Sequence, residues 1–120
     1  MSDILKTQKE HVSEMLCKYL EEIDNALIEV VRMFLGWGAN PNHKDNYYGS
    51  TPLHYASDRG YKDICRLLLL YGADRNIKDD DCGKTPLETA DNKDVIFLLK
   101  NFKAVKHPKI QKRGLRNTIK

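Results

Sequence analysis

The chain has 120 residues, 41% hydrophobic and 31% charged, a composition that predicts one folded domain rather than a disordered chain. Its longest uncharged apolar stretch, residues 67–72, is far shorter than the roughly 20 residues of a membrane span, and charged residues near the N-terminus argue against a secretory signal. The net charge of +3 is uneven: residues 103–120 hold seven of the 20 Lys and Arg residues and none of the 17 acids, so a basic tail follows an acidic body.

Residues 1–26 are predicted to form a helix with one apolar face. The side chains on this face follow helical spacing: Val12, Leu16, Tyr19, Leu20 and Ile23. We expect this helix to cover one end of the structure that follows it in the chain.

After this helix the sequence repeats itself at a fixed spacing. Residues 38–42 (GANPN) recur as residues 72–76 (GADRN), and residues 49–54 (GSTPLH) recur as residues 83–88 (GKTPLE). A fixed period of about 34 residues indicates a solenoid of stacked units.

Each unit is predicted to contain two helices followed by an extended loop. Thr51-Pro52 and Thr85-Pro86 favour helix starts, because the threonine caps free amides and a proline at the first position has no N–H to leave unpaired. Gly60 and Gly72 favour helix ends. The second helix between them carries apolar residues at helical spacing: Ile64, Leu67, Leu68 and Tyr71.

Residues 46–79, with GSTPLHYA followed by ICRLLLLYGADRN, resemble an ankyrin repeat. The resemblance implies an all-α solenoid of helix-turn-helix units joined by β-hairpin loops. The family's usual unit has about 33 residues, so each hairpin here carries one extra residue, before Gly49 and before Gly83.

The resemblance divides the chain into segments of different kinds. An ankyrin-repeat domain over residues 1–102 is expected to comprise an atypical capping helix, a partial repeat, a full repeat and a shortened terminal repeat. These are residues 1–26, 27–45, 46–79 and 80–102, followed by a basic, disordered tail over residues 103–120.

No set of residues in the sequence has the spacing of a catalytic or metal site. Residues 82–85 (CGKT) resemble the end of a phosphate-binding loop, but Lys78 occupies the position of a required glycine. Residues 79–81 (DDD) resemble the start of a calcium loop, but Gly83 falls where a third ligand is needed. We therefore expect no enzyme activity, no cofactor and no metal.

The resemblance implies that one histidine and two asparagines connect neighbouring hairpins. His54 lies in the T-P-L-H turn, where this family uses the imidazole to tie neighbouring hairpins together. Asn42 and Asn76 occupy the hairpin asparagine position, which bridges adjacent loops and is sometimes a hydroxylation target.

The positions that the ankyrin framework leaves free predict a concave partner-binding surface. They are Trp37, Asn46, Tyr47, Tyr48, Ser50, Asp58, Arg59, Tyr71, Asp80, Asp81, Cys82 and Lys84. Aromatic residues and arginine dominate protein–protein hot spots. The alternative for Trp37 and Tyr71, which occupy equivalent positions in successive units, is that they stack on each other across adjacent repeats.

The basic tail has two interpretations. Its cations could contact nucleic acid or an anionic membrane surface, or they could serve solubility and localisation: Lys103, Lys106, Lys109, Lys112, Arg113, Arg116 and Lys120. Its cations do not form a dense enough cluster for a convincing nuclear signal.

Taken together, the sequence predicts a monomeric protein that binds another protein and acts as an inhibitor, adaptor or scaffold. Binding of nucleic acid or an anionic surface by the tail is the alternative. Three cysteines without metal-ligand spacing favour a reducing compartment, hence the cytoplasm or the nucleus. The abundance of Lys, Asn, Ile and Tyr suggests a viral or intracellular-bacterial origin, where short ankyrin proteins are familiar, and then an interaction with the host cell.

Overall fold

The computed structural model describes residues 2–103, with side chains from residue 7 onward. Six helices occur in this range. They are α1 (Ser2–Glu22), α2 (Ile28–Gly36), α3 (Pro52–Asp58), α4 (Lys62–Leu70), α5 (Pro86–Thr89) and α6 (Lys93–Asn101).

The helices form three pairs that stack into two layers. The pairs are α1 with α2, α3 with α4, and α5 with α6. In an inner layer, α3 contacts α1 on one side and α5 on the other. In an outer layer, α4 contacts α2 and α6 in the same way. The predicted all-α solenoid is therefore confirmed.

The core lies between the two layers and runs through all three pairs. Leu20, Val31, Leu53, Leu68 and Val95 are completely buried. Each pair leaves an apolar side that its neighbour covers, which is why a solenoid is stable only when its units are stacked.

Local capping interactions start the inner helices of the second and third pairs. The amide of Thr51 donates to Nδ1 of His54 (3.1 Å) while the amide of His54 donates to the Thr51 hydroxyl (3.4 Å). Thr85 and Glu88 form the same reciprocal pair, at 2.9 Å and 3.4 Å. Both helices begin at the proline that the sequence predicted.

The helix α3 ends at a glycine in the left-handed conformation. Gly60 has φ of 75°, and the amide of the next residue, Tyr61, donates to the carbonyl of Ala56 (3.0 Å). A side chain at position 60 would strain this turn, which reverses the chain into α4.

The loops between the pairs differ from the expected β-hairpins. Within residues 2–103 no strand is present. Each loop is instead a turn closed by one backbone hydrogen bond, from the amide of Asp45 to the carbonyl of Ser50 and from Asp79 to Lys84, both 2.9 Å. A single such bond fixes the tip of the loop without forming a ladder.

The helix α1 takes the inner-layer place of the first pair. Leu16 and Leu20 are fully buried, as predicted, whereas Ile23 lies beyond the end of the helix and is exposed. Ser13 is also buried. The fold can bury its hydroxyl because that oxygen accepts a hydrogen bond from the amide of Asn40 (2.7 Å). The predicted face thus packs on the core through Val12, Leu16, Tyr19 and Leu20.

The third pair is shorter than the others. α5 has four residues, and the turn before α6 lacks a glycine. Asn92 caps the start of α6 instead. Its side-chain oxygen accepts hydrogen bonds from the amides of Asp94 (2.8 Å) and Val95 (3.2 Å).

Candidate protein-interaction surface

Loop 1, residues 45–50, is organised by a buried aspartate. The Asp45 carboxylate accepts hydrogen bonds from the amides of Tyr48 (3.0 Å) and Ser50 (3.2 Å), and from the hydroxyl of Tyr55 on α3. Burial and this bond to Asp45 raise the pKa of Tyr55, so that the phenol keeps its proton and remains a donor. The tip of loop 1 is therefore anchored to the inner helix layer.

Loop 2, residues 79–84, repeats the arrangement in a more exposed place. Asp79 accepts from the amides of Cys82 (3.0 Å) and Lys84 (3.2 Å). Partial burial alone would raise the pKa of Asp79, but these amide donors outweigh it and lower the pKa. The Asp79 carboxylate is therefore ionised at neutral pH and stabilises loop 2 by accepting from its amides.

His54 ties the start of α3, directly after loop 1, to loop 2. Because Nδ1 of His54 accepts from the amide of Thr51, its Nε2 carries the proton and donates to the carbonyl of Lys84 (2.7 Å). Burial lowers the pKa of His54, although the bond to Lys84 opposes this, so the ring stays neutral near pH 7. A second tie joins the amide of Asp80 to the carbonyl of Tyr48 (2.9 Å).

Further contacts bridge the loops on both sides of this tie. Nζ of Lys44 lies 3.0 Å from a carboxylate oxygen of Asp80. Asn42 donates to the carbonyl of Gly72 (3.1 Å) and accepts from the amide of Asp74 (2.6 Å). These are the loop-bridging roles that the ankyrin resemblance implies for His54 and Asn42.

A groove lies between loops 1 and 2 and the inner helices, and we call it the inner groove. It encloses about 190 Å³ and is lined by Tyr48, Ser50, His54, Tyr55, Asp58, Asp79, Asp81 and Thr89. This lining contains three carboxylates and no Lys or Arg, so the inner groove is acidic.

A second depression of about 250 Å³ lies on the other side of loop 1, against α1. Its lining is Glu14, Lys18, Glu21, Asp45, Asn46 and Tyr47. Glu14 holds the loop here, since its carboxylate lies 2.7 Å from Nε2 of His43 and accepts from the amide of Asn46 (3.3 Å).

Two adjacent tyrosines stand between these depressions. Tyr47 is 73% exposed and Tyr48 is 45% exposed, and their ring centroids are 6.3 Å apart. Tyr47 faces the depression against α1, whereas Tyr48 faces the inner groove. The pair therefore presents a continuous aromatic surface on an anchored loop.

Most of the predicted surface residues are exposed on the loops, whereas a few are held by contacts within the fold. The exposed group on loops 1 and 2 and the end of α3 is Asn46, Tyr47, Tyr48, Asp58, Asp80, Asp81, Cys82 and Lys84. Ser50 differs, because it is 6% exposed and its amide and carbonyl both bond to Asp45.

Arg59 also departs from the expectation of a free hot-spot side chain near Tyr47 and Tyr48. Its guanidinium donates to the carbonyls of Glu21 and Ile23 at the end of α1, and it lies 3.4 Å from a carboxylate oxygen of Asp24. It lines neither depression around loop 1. Arg59 therefore clamps the first helix pair to the second.

Trp37 and Tyr71 do not stack on each other. Trp37 is 59% exposed and packs edge-on against Phe34, with ring centroids 6.0 Å apart, beside residues of α1. Tyr71 is 48% exposed, and no ring contact involves it in the described part of the chain. Neither residue lines the inner groove.

The basic tail falls almost entirely outside the described residues. Lys103 is described and exposed. The other predicted tail cations lie beyond the described range: Lys106, Lys109, Lys112, Arg113, Arg116 and Lys120.

Several residues that shape the surface were not predicted. Asp45 and Asp79 occupy equivalent positions in successive units, at the same distance before Gly49 and Gly83, so the repeat itself could have shown their shared role. Tyr55 and Thr89 also occupy equivalent positions, but their side chains differ, so the repeat did not indicate that Tyr55 bonds to the loop aspartate.

The described residues hold no group of three or more His, Cys, Asp and Glu side chains suited to a metal ion. Two aspartates of loop 2 face different groups, since Asp79 accepts from loop amides and Asp80 lies beside Lys44. In the same range no helix is long and apolar enough to cross a membrane.

A family described as ankyrin repeats (3 copies) matches residues 10–109. The chain belongs to the ankyrin repeat family. The match begins within α1 and includes the three helix pairs of this ankyrin chain. Ankyrin repeats are in general protein-interaction modules, and no enzyme family is found.

A solved structure supports the same assignment. The ankyrin repeat domain of Bcl-3, described as a unique member of the IkappaB protein family, is 35% identical with a TM-score of 0.62. The match covers 72% of this chain and 36% of that one, so the chain spans about a third of the related domain. No curated protein gives a significant match. These similarities do not support a viral or bacterial origin.

Proposed function

We propose that this ankyrin chain is a non-enzymatic module that binds a partner protein through the inner groove and loop 1, acting as an inhibitor, adaptor or scaffold. The observation that carries the proposal is the exposed pair Tyr47 and Tyr48 on a loop that is hydrogen-bonded at both ends. Exposed aromatic side chains on a rigid support are typical of binding hot spots.

The rigidity of loop 1 favours binding. Asp45, the His54 bridge and the contact between Tyr48 and Asp80 hold the loop before any partner arrives. Ordering a flexible surface costs about 0.5–1.5 kcal/mol per side chain, and a loop already ordered avoids much of that cost.

The charge of the inner groove indicates the chemistry of the partner. Asp58, Asp79 and Asp81 line it without a Lys or Arg among them. Charge complementarity therefore favours a partner segment that presents Lys or Arg beside an apolar residue able to contact Tyr48. Association with such a segment should slow as salt rises.

The test is capture of a partner from cell lysate with the full chain, followed by calorimetry on the purified complex. Replacing both Tyr47 and Tyr48 by alanine should weaken binding about 30-fold, the effect of losing about 2 kcal/mol of hot-spot contact. Tyr71→Ala is the matched control, because it removes a comparably exposed tyrosine that lies outside the inner groove. Equal affinities for the double variant and the control would refute the proposal.

The same experiment separates this function from the alternative, binding of nucleic acid or an anionic surface by the basic tail. A chain lacking residues 103–120 should keep its affinity for the protein partner, because Tyr48 and the inner groove are unchanged. If removal of the tail abolishes partner binding and the tyrosine variant retains it, the tail is the functional element. Phosphate binding by several cations would also weaken steeply with salt.

A further inference from the structure

The outer helix layer carries a groove that the proposed inner surface does not use. It lies between α4 and α6, where the chain leaves α6, and it encloses about 440 Å³. Its α4 wall contains residues 62, 66 and 70, which are spaced four apart and share one helix face. We call it the outer groove.

Four apolar side chains line the outer groove, of which Leu98 is buried. Phe97 is 70% exposed, Leu70 is 58% exposed, and Phe102 is partly buried against the core. Two large apolar side chains facing solvent across one groove indicate a surface that another chain covers.

The rim of the outer groove is basic. Lys62, Arg66 and Lys103 line it with a single acid, Asp94. Within the described residues, none of these three cations has an ion-pair partner. The charge of the outer groove is thus opposite to that of the inner groove.

We propose that the outer groove is a second docking surface, which binds an acidic amphipathic helix of a partner protein. A channel between two helices accepts a third helix whose apolar side chains recur at i, i+3 or i+4, and i+7. Phe97 and Leu70 provide the apolar contact, and Lys62 and Arg66 face the acids that flank it.

Charge argues against the two occupants that this chain itself could supply. Residues 104–120 carry six Lys and Arg residues and no acid, so the basic rim repels them. A symmetric pair of copies would place the basic rims of two outer grooves against each other. An acidic helix from another protein meets neither obstacle.

The test uses two labelled peptides of about 15 residues, long enough for four helical turns. Both carry leucines at helical spacing; one has glutamates and the other lysines at the remaining positions. Fluorescence anisotropy with the full chain at low salt should show binding of the glutamate peptide, which Arg66→Glu weakens about tenfold. The lysine peptide suits the acidic inner groove instead, so Arg66→Glu should not weaken its binding. Failure of the glutamate peptide to bind, or an equal loss of both peptides in Arg66→Glu, overturns the proposal.

Two variants place the binding in the outer groove. Phe97→Ser and Arg66→Glu should each weaken the glutamate peptide about tenfold, and both residues are exposed, so the fold should tolerate the changes. The matched controls are Met33→Ser and Arg32→Glu on α2, which are exposed but do not line the outer groove. Unchanged binding by both test variants overturns the proposal.

Two further measurements exclude the other occupants. If removing residues 104–120 raises the peptide affinity tenfold or more, the tail itself occupies the groove. If sedimentation shows a dimer that Phe97→Ser dissociates, a second copy occupies it. Either result overturns the proposal. The double alanine variant of Tyr47 and Tyr48 should bind the peptide normally, so this test is independent of the inner groove.

Discussion

Asp45→Ala should destabilise the protein more than the chemically equivalent Asp79→Ala. Both carboxylates accept two loop amides at nearly the same distances, 3.0 Å and 3.2 Å. Asp45 is 7% exposed and also accepts from Tyr55, whereas the donors to Asp79 face solvent. The two substitutions therefore separate the effect of burial from that of hydrogen bonding.

The magnitude follows from the groups left without a partner. Asp45→Ala leaves the buried amide of Ser50 unsatisfied, at about 1–3 kcal/mol, and the partly buried Tyr48 amide and Tyr55 hydroxyl each lose a further net bond. At about 0.5–1.5 kcal/mol for each of these two bonds, we expect a total loss of about 2–6 kcal/mol. Water can replace Asp79 at its exposed amides, so Asp79→Ala should cost about 1 kcal/mol or less.

The assay is urea unfolding followed by circular dichroism at a helical wavelength. Each variant should shift the midpoint without changing the slope, because the surface exposed on unfolding is the same. Asp45→Asn is a useful third variant, since it keeps a side-chain acceptor while removing the charge, and its loss should lie between the others. An Asp45→Ala loss no greater than that of Asp79→Ala would refute the reasoning.

Four further predictions concern the core, the loops and the tail. Leu68→Ala, at a fully buried position, should cost about 2–5 kcal/mol in urea unfolding, and a loss below about 0.5 kcal/mol would contradict its place in the core. Gly49→Ala should cost about 1–3 kcal/mol by the same assay, because φ is 64° and a Cβ would overlap the Asp80 carboxylate; a neutral result would contradict this geometry. The pKa of His54 is lowered from 6.5 in the folded protein, so folding favours the neutral ring. The resulting contribution to stability is fully present above pH 6.5 and is lost as the pH falls through the folded-state pKa. The melting temperature should drop on acidification from pH 7 to about 5, less so in His54→Gln, and an equal drop in both would count against the His54 bridge. Removing residues 103–120 should leave the melting temperature unchanged, since Leu99 is the last buried core residue of the described range, and should abolish any nucleic-acid binding; unfolding of the shortened chain would place the tail within the fold.

The helix pairs and their order could be predicted from the sequence because their signals are local. Thr51-Pro52 and Thr85-Pro86 cap helices through bonds to residues three positions away, and Gly60 ends one through its own backbone conformation. The fixed period of the sequence then requires that successive pairs repeat the same packing. An all-α solenoid follows from these short-range effects alone.

The candidate surface could be predicted only in part. The exposure of Tyr47 and Tyr48 follows from their place in an extra-long loop, since a loop tip has little core to reach. The support of that loop by Asp45 was missed, although its recurrence at Asp79 was visible in the repeat. A carboxylate in a loop is most often solvated, and burial against Tyr55 depends on the neighbouring helix.

The remaining differences depend on where long side chains turn once the helix pairs are stacked. Arg59 reaches back to the carbonyls at the end of α1, far away in the sequence, and Trp37 turns onto Phe34 instead of Tyr71. A repeat period places equivalent backbone positions side by side, but it does not choose among the rotamers of a side chain. The sequence alone therefore determined the stack of helix pairs and the positions of the loops that join them. The tertiary structure decided which exposed positions remain available for binding, because distant contacts occupy the rest.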